Sequence, residues 1–311
     1  MIRVVGKVNC FQQLERDFPI ICDENWDNDS EKLKDSLNDV MALVVKTSNK
    51  VDADVIAAAP KLRVIANCGV GLDNIDINAA DAAGVVVVAG RGENAVSVGE
   101  LTLGLALALL RDITVHDVAT RAGAWVRSPG REISGLTWGL LGCGATGVAT
   151  AKLIQGFNCK VIGYSPRAKT ISCIELTSFE DVLKRSDVLS IHLPSTPETN
   201  GVINSSTLKL MKPEAILINV GRGNAINEAD LLNALKTKTI AGAALDVRAQ
   251  EPPSKGEMEC MSNLILTPHV AGITSQSVMR INEIIASNIG LVLNDKEATH
   301  AVGAIKKSSK G

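Results

Sequence analysis

Five short runs at 2–5, 20–22, 41–45, 63–67 and 85–89 are rich in β-branched residues and almost free of polar side chains on either face. A strand with two apolar faces must be covered on both sides. A parallel sheet wrapped by crossover helices does this, and a sheet of simple hairpins does not. Amphipathic stretches at 28–37 and 51–59 supply helices between the runs. Residues 96–118 read as one long helix, apolar through its middle, with Ser97 and Glu100 in the first turn. A second alternating series follows a loop at 121–134. Its strands are predicted at 137–141, 160–164, 188–193, 215–220, 242–247 and 264–267, with helices near 147–155, 179–184, 206–211 and 228–235. A last long helix spans 277–294, and the Lys/Ser-rich tail 304–311 is expected to fray. The pattern predicts an α/β chain with two doubly wound parallel sheets. With 311 residues, two domains of roughly 150 are natural. The two long helices mark the crossings, giving one domain of 1–95 plus 279–311 and another of 96–278.

Composition excludes several classes. Apolar residues are 46% and charged residues 21%, as in globular proteins. The net charge of −2 leaves no basic surplus for a nucleic-acid backbone, so no nucleic-acid partner is expected. Cysteines 10, 22, 68, 143, 159, 173 and 260 are odd in number and form no CxxC pair. They read as reduced thiols of a cytoplasmic protein, with no disulfide framework and no metal site. The first ten residues read as a strand rather than a leader. The longest apolar run, 101–110, is interrupted by Thr102 and Gly104 and is half the ~20 residues of a membrane span.

The sharpest motif is Gly142-Cys143-Gly144-Ala145-Thr146-Gly147, which follows the strand TWGLL and opens a helix. In that context G-x-G-x-x-G points to a dinucleotide. Gly142 permits a tight turn, Gly144 admits a pyrophosphate close to the backbone, and Gly147 lets helix and strand pack. Ala145 and Thr146 lie in the same turn, whose N–H groups and helix dipole favour phosphates. The next strand ends in Tyr164-Ser165-Pro166-Arg167, without the carboxylate that usually holds a ribose 2′-OH. Ser165 does not repel a 2′-phosphate and Arg167 can pair with one, which favours NADP, with NAD possible. A solvated surface arginine with relaxed specificity is the other reading of Arg167.

Three polar residues stand where later strands end: Arg222 in NVGRGN, Glu251 in ALDVRAQEPP and His269 in TPHVAG. Ligands of open α/β sheets bind beyond the carboxyl ends of the strands, so the three point to a common site.

These segments, together with Asn67-Cys68-Gly69-Val70-Gly71-Leu72-Asp73-Asn74-Ile75-Asp76 and His192-Leu193-Pro194, resemble the D-isomer-specific 2-hydroxyacid dehydrogenase family over nearly the whole chain. Within it the chain is most similar to the phosphoglycerate dehydrogenases and the hydroxypyruvate or glyoxylate reductases. The resemblance implies a Rossmann cofactor domain inserted in a flavodoxin-like substrate domain, with the active site in the cleft between them. It implies hydride transfer between NAD(P) and a small 2-hydroxy or 2-oxo acid. Arg222 would clamp the substrate carboxylate, His269 would be the general acid–base, and Glu251 would orient the imidazole. Pro194, Thr199, Val220 and Asp246 are implied cofactor contacts, Asp246 to the nicotinamide amide. Gly69, Val70 and Gly71 would offer N–H groups to the substrate carboxylate, and His192 would line the adenine side. A homodimer is implied, and the loop 121–134 with Trp125 is a candidate to cross to the partner. No C-terminal regulatory domain is expected.

Some positions depart from the family. Ser165 stands where NAD-preferring members carry Asp, and Ala145 where many carry Arg. Lys46 and Asn67 replace arginines with which phosphoglycerate dehydrogenases hold the substrate phosphate. Lys46 is either a contact for an acidic substrate tail or a solvated strand-end lysine. The competing functional reading is a catalytically silent relative that senses a dinucleotide and regulates partners.

Overall fold

The computed structural model describes residues 1–5, 14–23, 36–168 and 170–310. The thiol of Cys10 lies outside them, as does nearly all of the helix expected over 28–37. Backbone packing divides the chain into two compact units, Met1–Asn94 with Ser275–Gly311 and Ala95–Thr274.

In the first unit, β1 (Ile2–Val5), β2 (Ile20–Asp23), β3 (Ala42–Val45), β4 (Val64–Asn67) and β5 (Val86–Ala89) are parallel, in the order β5-β4-β3-β1-β2. This is the flavodoxin-like arrangement. The doubly apolar runs are explained by what covers them. Val64 and Ala66 pack in one cluster with Ile281, Ile285 and Ile289 of the long helix α9 (Ser275–Leu293). Ile65, between them, faces the opposite side with Val55 and Ile56 of α1 (Ala53–Ala57) and Ala80 of α2 (Ile77–Ala82). Full burial of each such aliphatic side chain contributes about 1.5–3 kcal/mol.

The second unit holds seven parallel strands: β6 (Thr137–Leu141), β7 (Lys160–Tyr164), β8 (Glu175–Leu176), β9 (Val188–Ile191), β10 (Ile216–Asn219), β11 (Gly242–Leu245) and β12 (Leu264–Leu266). Their order is β12-β11-β10-β9-β6-β7-β8. The order reverses between β6 and β9, and that switch point is where a doubly wound sheet binds a dinucleotide. One face is covered by α3 (Ala95–Leu110) and α5 (Ala145–Ile154). The other is covered by α6 (Phe179–Arg185), α7 (Ser205–Leu208) and α8 (Glu228–Lys236). Among the described residues no helix is long and apolar enough to cross a membrane.

Two expectations are corrected. The helix read over 96–118 is two helices, α3 and α4 (Ile113–Arg121), broken at Asp112, which takes a left-handed φ of 49°. The cause is remote. The N–H of Arg131 donates to the carbonyl of Leu110 at 2.8 Å, an acceptor that a continuous helix would use itself. The tail read as frayed is also tied down. β13 (Ala301–Val302) pairs antiparallel with β5, and the Asp81 carboxylate accepts the N–H groups of Ala304 and Ile305.

Candidate active site

The glycine turn fits a dinucleotide. Gly142, just past β6, has φ +94°, a conformation that side chains rarely adopt. A Cβ on Gly147 would lie 2.2 Å from the Gly142 carbonyl oxygen, so only glycine allows α5 to close on the strand. A Cβ on Gly144 would meet nothing within 4 Å, so open space lies in front of the turn. Gly144 caps α5 with no side-chain bond, leaving the first-turn N–H groups of Ala145, Thr146 and Gly147 for an anion. The Cys143 thiol is turned inward. Burial, with help from the nearby Cys173, pushes its pKa up to about 11, so it adds no negative charge beneath a pyrophosphate.

Ser165, past β7, is half-buried, and Arg167 is exposed. Past β9, the Thr199 hydroxyl donates to the Pro194 carbonyl at 2.7 Å and closes the turn 194–199. Val220, past β10, is 9% exposed. His192 is buried beneath the glycine turn. Its Nε2 meets the Ser190 hydroxyl at 3.0 Å, and Ser190 in turn accepts the Trp138 indole N–H at 2.9 Å. Loss of hydration pushes the His192 imidazole down to about 3, so it stays neutral.

Each of the three catalytic candidates is held by its own loop. Asn219 shapes the first: its Oδ1 accepts the Gly221 N–H at 3.1 Å, and its Nδ2 donates to the Arg222 carbonyl at 2.9 Å. Arg222 Nη1 donates to the Gly221 carbonyl at 2.9 Å. His269 sits past β12 with a left-handed φ of 55°, and its N–H donates to the Asp246 carbonyl at 2.8 Å. Backbone conformations of this kind collect at functional sites, where surrounding contacts enforce them. The enforcing group is Asp246, which is 1% exposed. Its Oδ1 accepts the Thr267 hydroxyl at 2.6 Å and the Val270 N–H at 2.9 Å, while Oδ2 accepts the Ala271 N–H at 2.9 Å. Expected as a contact to the nicotinamide amide, Asp246 has both oxygens turned into the loop that carries His269.

Glu251 and His269 are brought together. Glu251 Oε2 lies 2.7 Å from His269 Nδ1, and Glu251 Oε1 accepts the Arg248 N–H at 2.9 Å. A carboxylate can only accept here, so the ring proton sits on Nδ1 and Nε2 is left for a ligand. The His269 side chain is 52% exposed, which a proton carrier needs.

In the first unit, Lys46 follows β3 with its side chain exposed and its N–H on Asn49 Oδ1 at 2.9 Å. Gly69, Val70 and Gly71 follow β4, and their N–H groups carry no hydrogen bond among the described residues. Asn67 is fully buried and donates through Nδ2 to the Gly71 carbonyl, so it shapes the loop from beneath. Among the described residues no His/Cys/Asp/Glu cluster could hold a metal ion.

The reading of motifs missed Asn219, Thr267 and Arg248. Each adjoins or lies within a motif already singled out, so position was a signal, but partner choice was not visible.

The profile of the D-isomer specific 2-hydroxyacid dehydrogenase family, NAD binding domain, matches residues 103–271. The chain belongs to this family. The matched stretch falls within the unit that carries the glycine turn and the Glu251–His269 pair, so this unit is a nicotinamide-dinucleotide-binding domain. D-3-phosphoglycerate dehydrogenase of Mycobacterium leprae is 40% identical over 281 residues, covering 88% of this chain and 53% of that protein. This chain thus spans about half the length of that relative. Glyoxylate reductase of Thermofilum pendens is 38% identical over 282 residues, covering 87% of this chain and 83% of that one. Among solved structures, the NADPH-dependent glyoxylate/hydroxypyruvate reductase of Sinorhizobium meliloti, in complex with NADP and malonate, superimposes with a TM-score of 0.89. It is 27% identical, with 100% of this chain and 99% of that one covered.

Proposed function

We propose that this 2-hydroxyacid dehydrogenase family member is an NAD(P)-dependent oxidoreductase that interconverts a small 2-oxo acid and its 2-hydroxy acid. The observation that carries the reading is the 2.7 Å contact between Glu251 and His269 Nδ1, which leaves Nε2 for a ligand on a half-exposed ring. A bound nicotinamide supplies or takes the hydride. In the reducing direction His269 Nε2 gives its proton to the substrate oxygen, and Glu251 stabilises the imidazolium before the transfer. In the oxidising direction the same Nε2 takes the hydroxyl proton. Arg222 holds the substrate carboxylate through its planar fork, and the N–H groups of Gly69, Val70 and Gly71 are open to donate to an acidic ligand. Gly142, Gly144, Ala145, Thr146 and Gly147 hold the pyrophosphate, with Pro194, Thr199 and Val220 beside it. Asp246 braces the His269 loop.

The cofactor is NADPH in preference to NADH. The absence of a carboxylate at Ser165 and the exposed Arg167, which makes no ion pair among the described residues, support this. Asn67 and Lys46 support a substrate without a phosphate, such as glyoxylate or hydroxypyruvate. The protein is a homodimer: α4 has no buried residue, and Val118 and Trp125 are 68% and 83% exposed, as a face awaiting a second copy would be. The free thiols among the described cysteines fit a reducing compartment such as the cytoplasm.

The test is kcat/KM for glyoxylate, hydroxypyruvate and 3-phosphohydroxypyruvate with each cofactor. Turnover of glyoxylate or hydroxypyruvate with NADPH is expected. Dinucleotide binding without turnover of any 2-oxo acid would replace this reading with that of a regulatory sensor.

A further inference from the structure

We infer that Arg248 is a positioning residue for the Glu251–His269 pair, an inference that rests on the proposed proton-transfer role of that pair. Residues 249–257 are all exposed, and the nearest buried apolar anchor beyond them is Met258. A carboxylate on such a stretch has no hydrophobic packing to hold its direction, and chain entropy favours its wandering. Yet Glu251 must present Oε2 to His269. Its other oxygen, Oε1, is tied to the N–H of Arg248 at 2.9 Å, so the direction of Glu251 follows the place of that one peptide.

That peptide is fixed by charge. Arg248 Nε and Nη2 donate to the two oxygens of Glu228 on α8, each at 3.0 Å, and Nη1 donates to Glu259 Oε1 at 2.9 Å. Glu228 Oε1 also accepts the Ala249 N–H at 2.8 Å, and Glu259 Oε2 accepts the Gly256 N–H at 2.7 Å. The Arg248 side chain is 10% exposed, with Glu228 at 24% and Glu259 at 25%. A two-pronged pair this sheltered is directional in a way that exposed pairs are not. Burial pushes the Glu228 carboxyl up, but the bonds from Arg248 and Ala249 overcome it and hold it below the usual carboxylate range.

The same peptide also touches the loop of Arg222. A Cβ on Gly223 would lie 1.9 Å from the Arg248 carbonyl oxygen, so the two loops meet at closest backbone approach. One guanidinium thereby sets the peptide against which both Glu251 and the Arg222 loop are registered.

The test uses Arg248→Met, which keeps an apolar stem of similar length, and Arg248→Lys, which keeps the charge and loses the fork. In Arg248→Met, kcat for 2-oxo acid reduction should fall by about ten- to a hundredfold, the loss that small misplacement of a catalytic group brings. KM for the dinucleotide should stay near wild type, and Arg248→Lys should recover part of kcat. Independently of turnover, the hydrogen-bonded Nδ1 proton of His269, seen by NMR and assigned by its loss in Glu251→Ala, should weaken or vanish in Arg248→Met. A folded Arg248→Met with wild-type kcat and an intact Nδ1 signal would overturn the inference. If Arg248→Met does not fold, Glu259→Ala removes one prong only: an intermediate fall in kcat with a weakened Nδ1 signal is expected, and wild-type values for both overturn the inference equally. A wild type that reduces no 2-oxo acid would sink the functional reading instead, while the Nδ1 signal still decides the role of Arg248.

Discussion

A histidine carries protons only when its two ring nitrogens have different partners and one of them can reach solvent or substrate. His269 and His192 divide on this point. His269 gives Nδ1 to Glu251 and is half exposed, whereas His192 is sealed beneath the glycine turn. His269→Ala should therefore cut kcat by about 10²–10⁴ and leave dinucleotide binding nearly intact. Steady-state kinetics with NADPH and fluorescence titration of NADPH separate the two effects, and wild-type kcat would remove His269 from the mechanism. For His192 the prediction concerns stability. Its folded pKa of about 3 lies below the ordinary histidine value of 6.5, so only the unfolded chain takes up a proton between those values. The contribution is complete above pH 6.5 and declines as pH falls toward 3. From pH 7 to pH 5 the loss from this group is about 2 kcal/mol. Urea unfolding at the two pH values should show that drop in wild type and a smaller one in His192→Gln. Equal drops would mean that His192 is protonated in the folded state.

At the scale of elements, the glycine turn is built for tolerance at one glycine and refusal at its neighbours, since Gly144 faces open space and Gly147 abuts a carbonyl. On the proposed reading, the end of β7 sets cofactor choice through Ser165 and Arg167. One charged hydrogen bond to a 2′-phosphate contributes roughly 1.5–3 kcal/mol, or about ten- to a hundredfold in kcat/KM. The exposure of Arg167 places the effect toward the lower end, through salt screening. Ser165→Asp combined with Arg167→Ala should reverse the preference from NADPH to NADH, because it restores a ribose acceptor and removes the phosphate partner. The kcat/KM ratio of the two cofactors, in wild type and double variant, checks this. A wild type that favours NADH tenfold would mean that Arg167 points away from the cofactor.

At the scale of the molecule, the chain leaves its first unit after residue 94, builds the second, and returns at residue 275 to complete the first with α9 and β13. The second unit leaves one element unexplained by its own packing. Val115 and Val118 share one side of α4 and are 42% and 68% exposed, and Val126 beside Trp125 is 62% exposed. A monomer gains nothing from such a face, and a second copy does. Val118→Asp with Trp125→Asp should convert a dimer into a monomer without unfolding either sheet. Sedimentation equilibrium of wild type and variant checks it, and a monomeric wild type would refute the dimer.

Much of this architecture was legible in the residues alone. The doubly apolar runs required covered parallel strands, and the glycine turn announced itself because strand, turn and helix lie within twenty residues. Arg222, Glu251 and His269 were visible because each lies within a few residues of the end of a strand. Other features depended on segments far apart in the chain. Arg131 reaches back to the Leu110 carbonyl and breaks a helix whose sequence is continuous. β5 pairs with Ala301–Val302 and Asp81 captures the N–H groups of Ala304 and Ile305, so the Lys/Ser-rich end is held against the first unit. Asp246 turns into the His269 loop rather than outward, Ser190 and Trp138 fix the ring of His192, and Glu228 with Glu259 directs Arg248. Apolar periodicity and turn chemistry are written within a few residues, so the sequence by itself determined most of the elements and where Arg222, Glu251 and His269 stand along the chain. Which carbonyl or carboxylate satisfies which N–H is settled only when distant segments compete for the same donors, and that competition was decided by the tertiary structure.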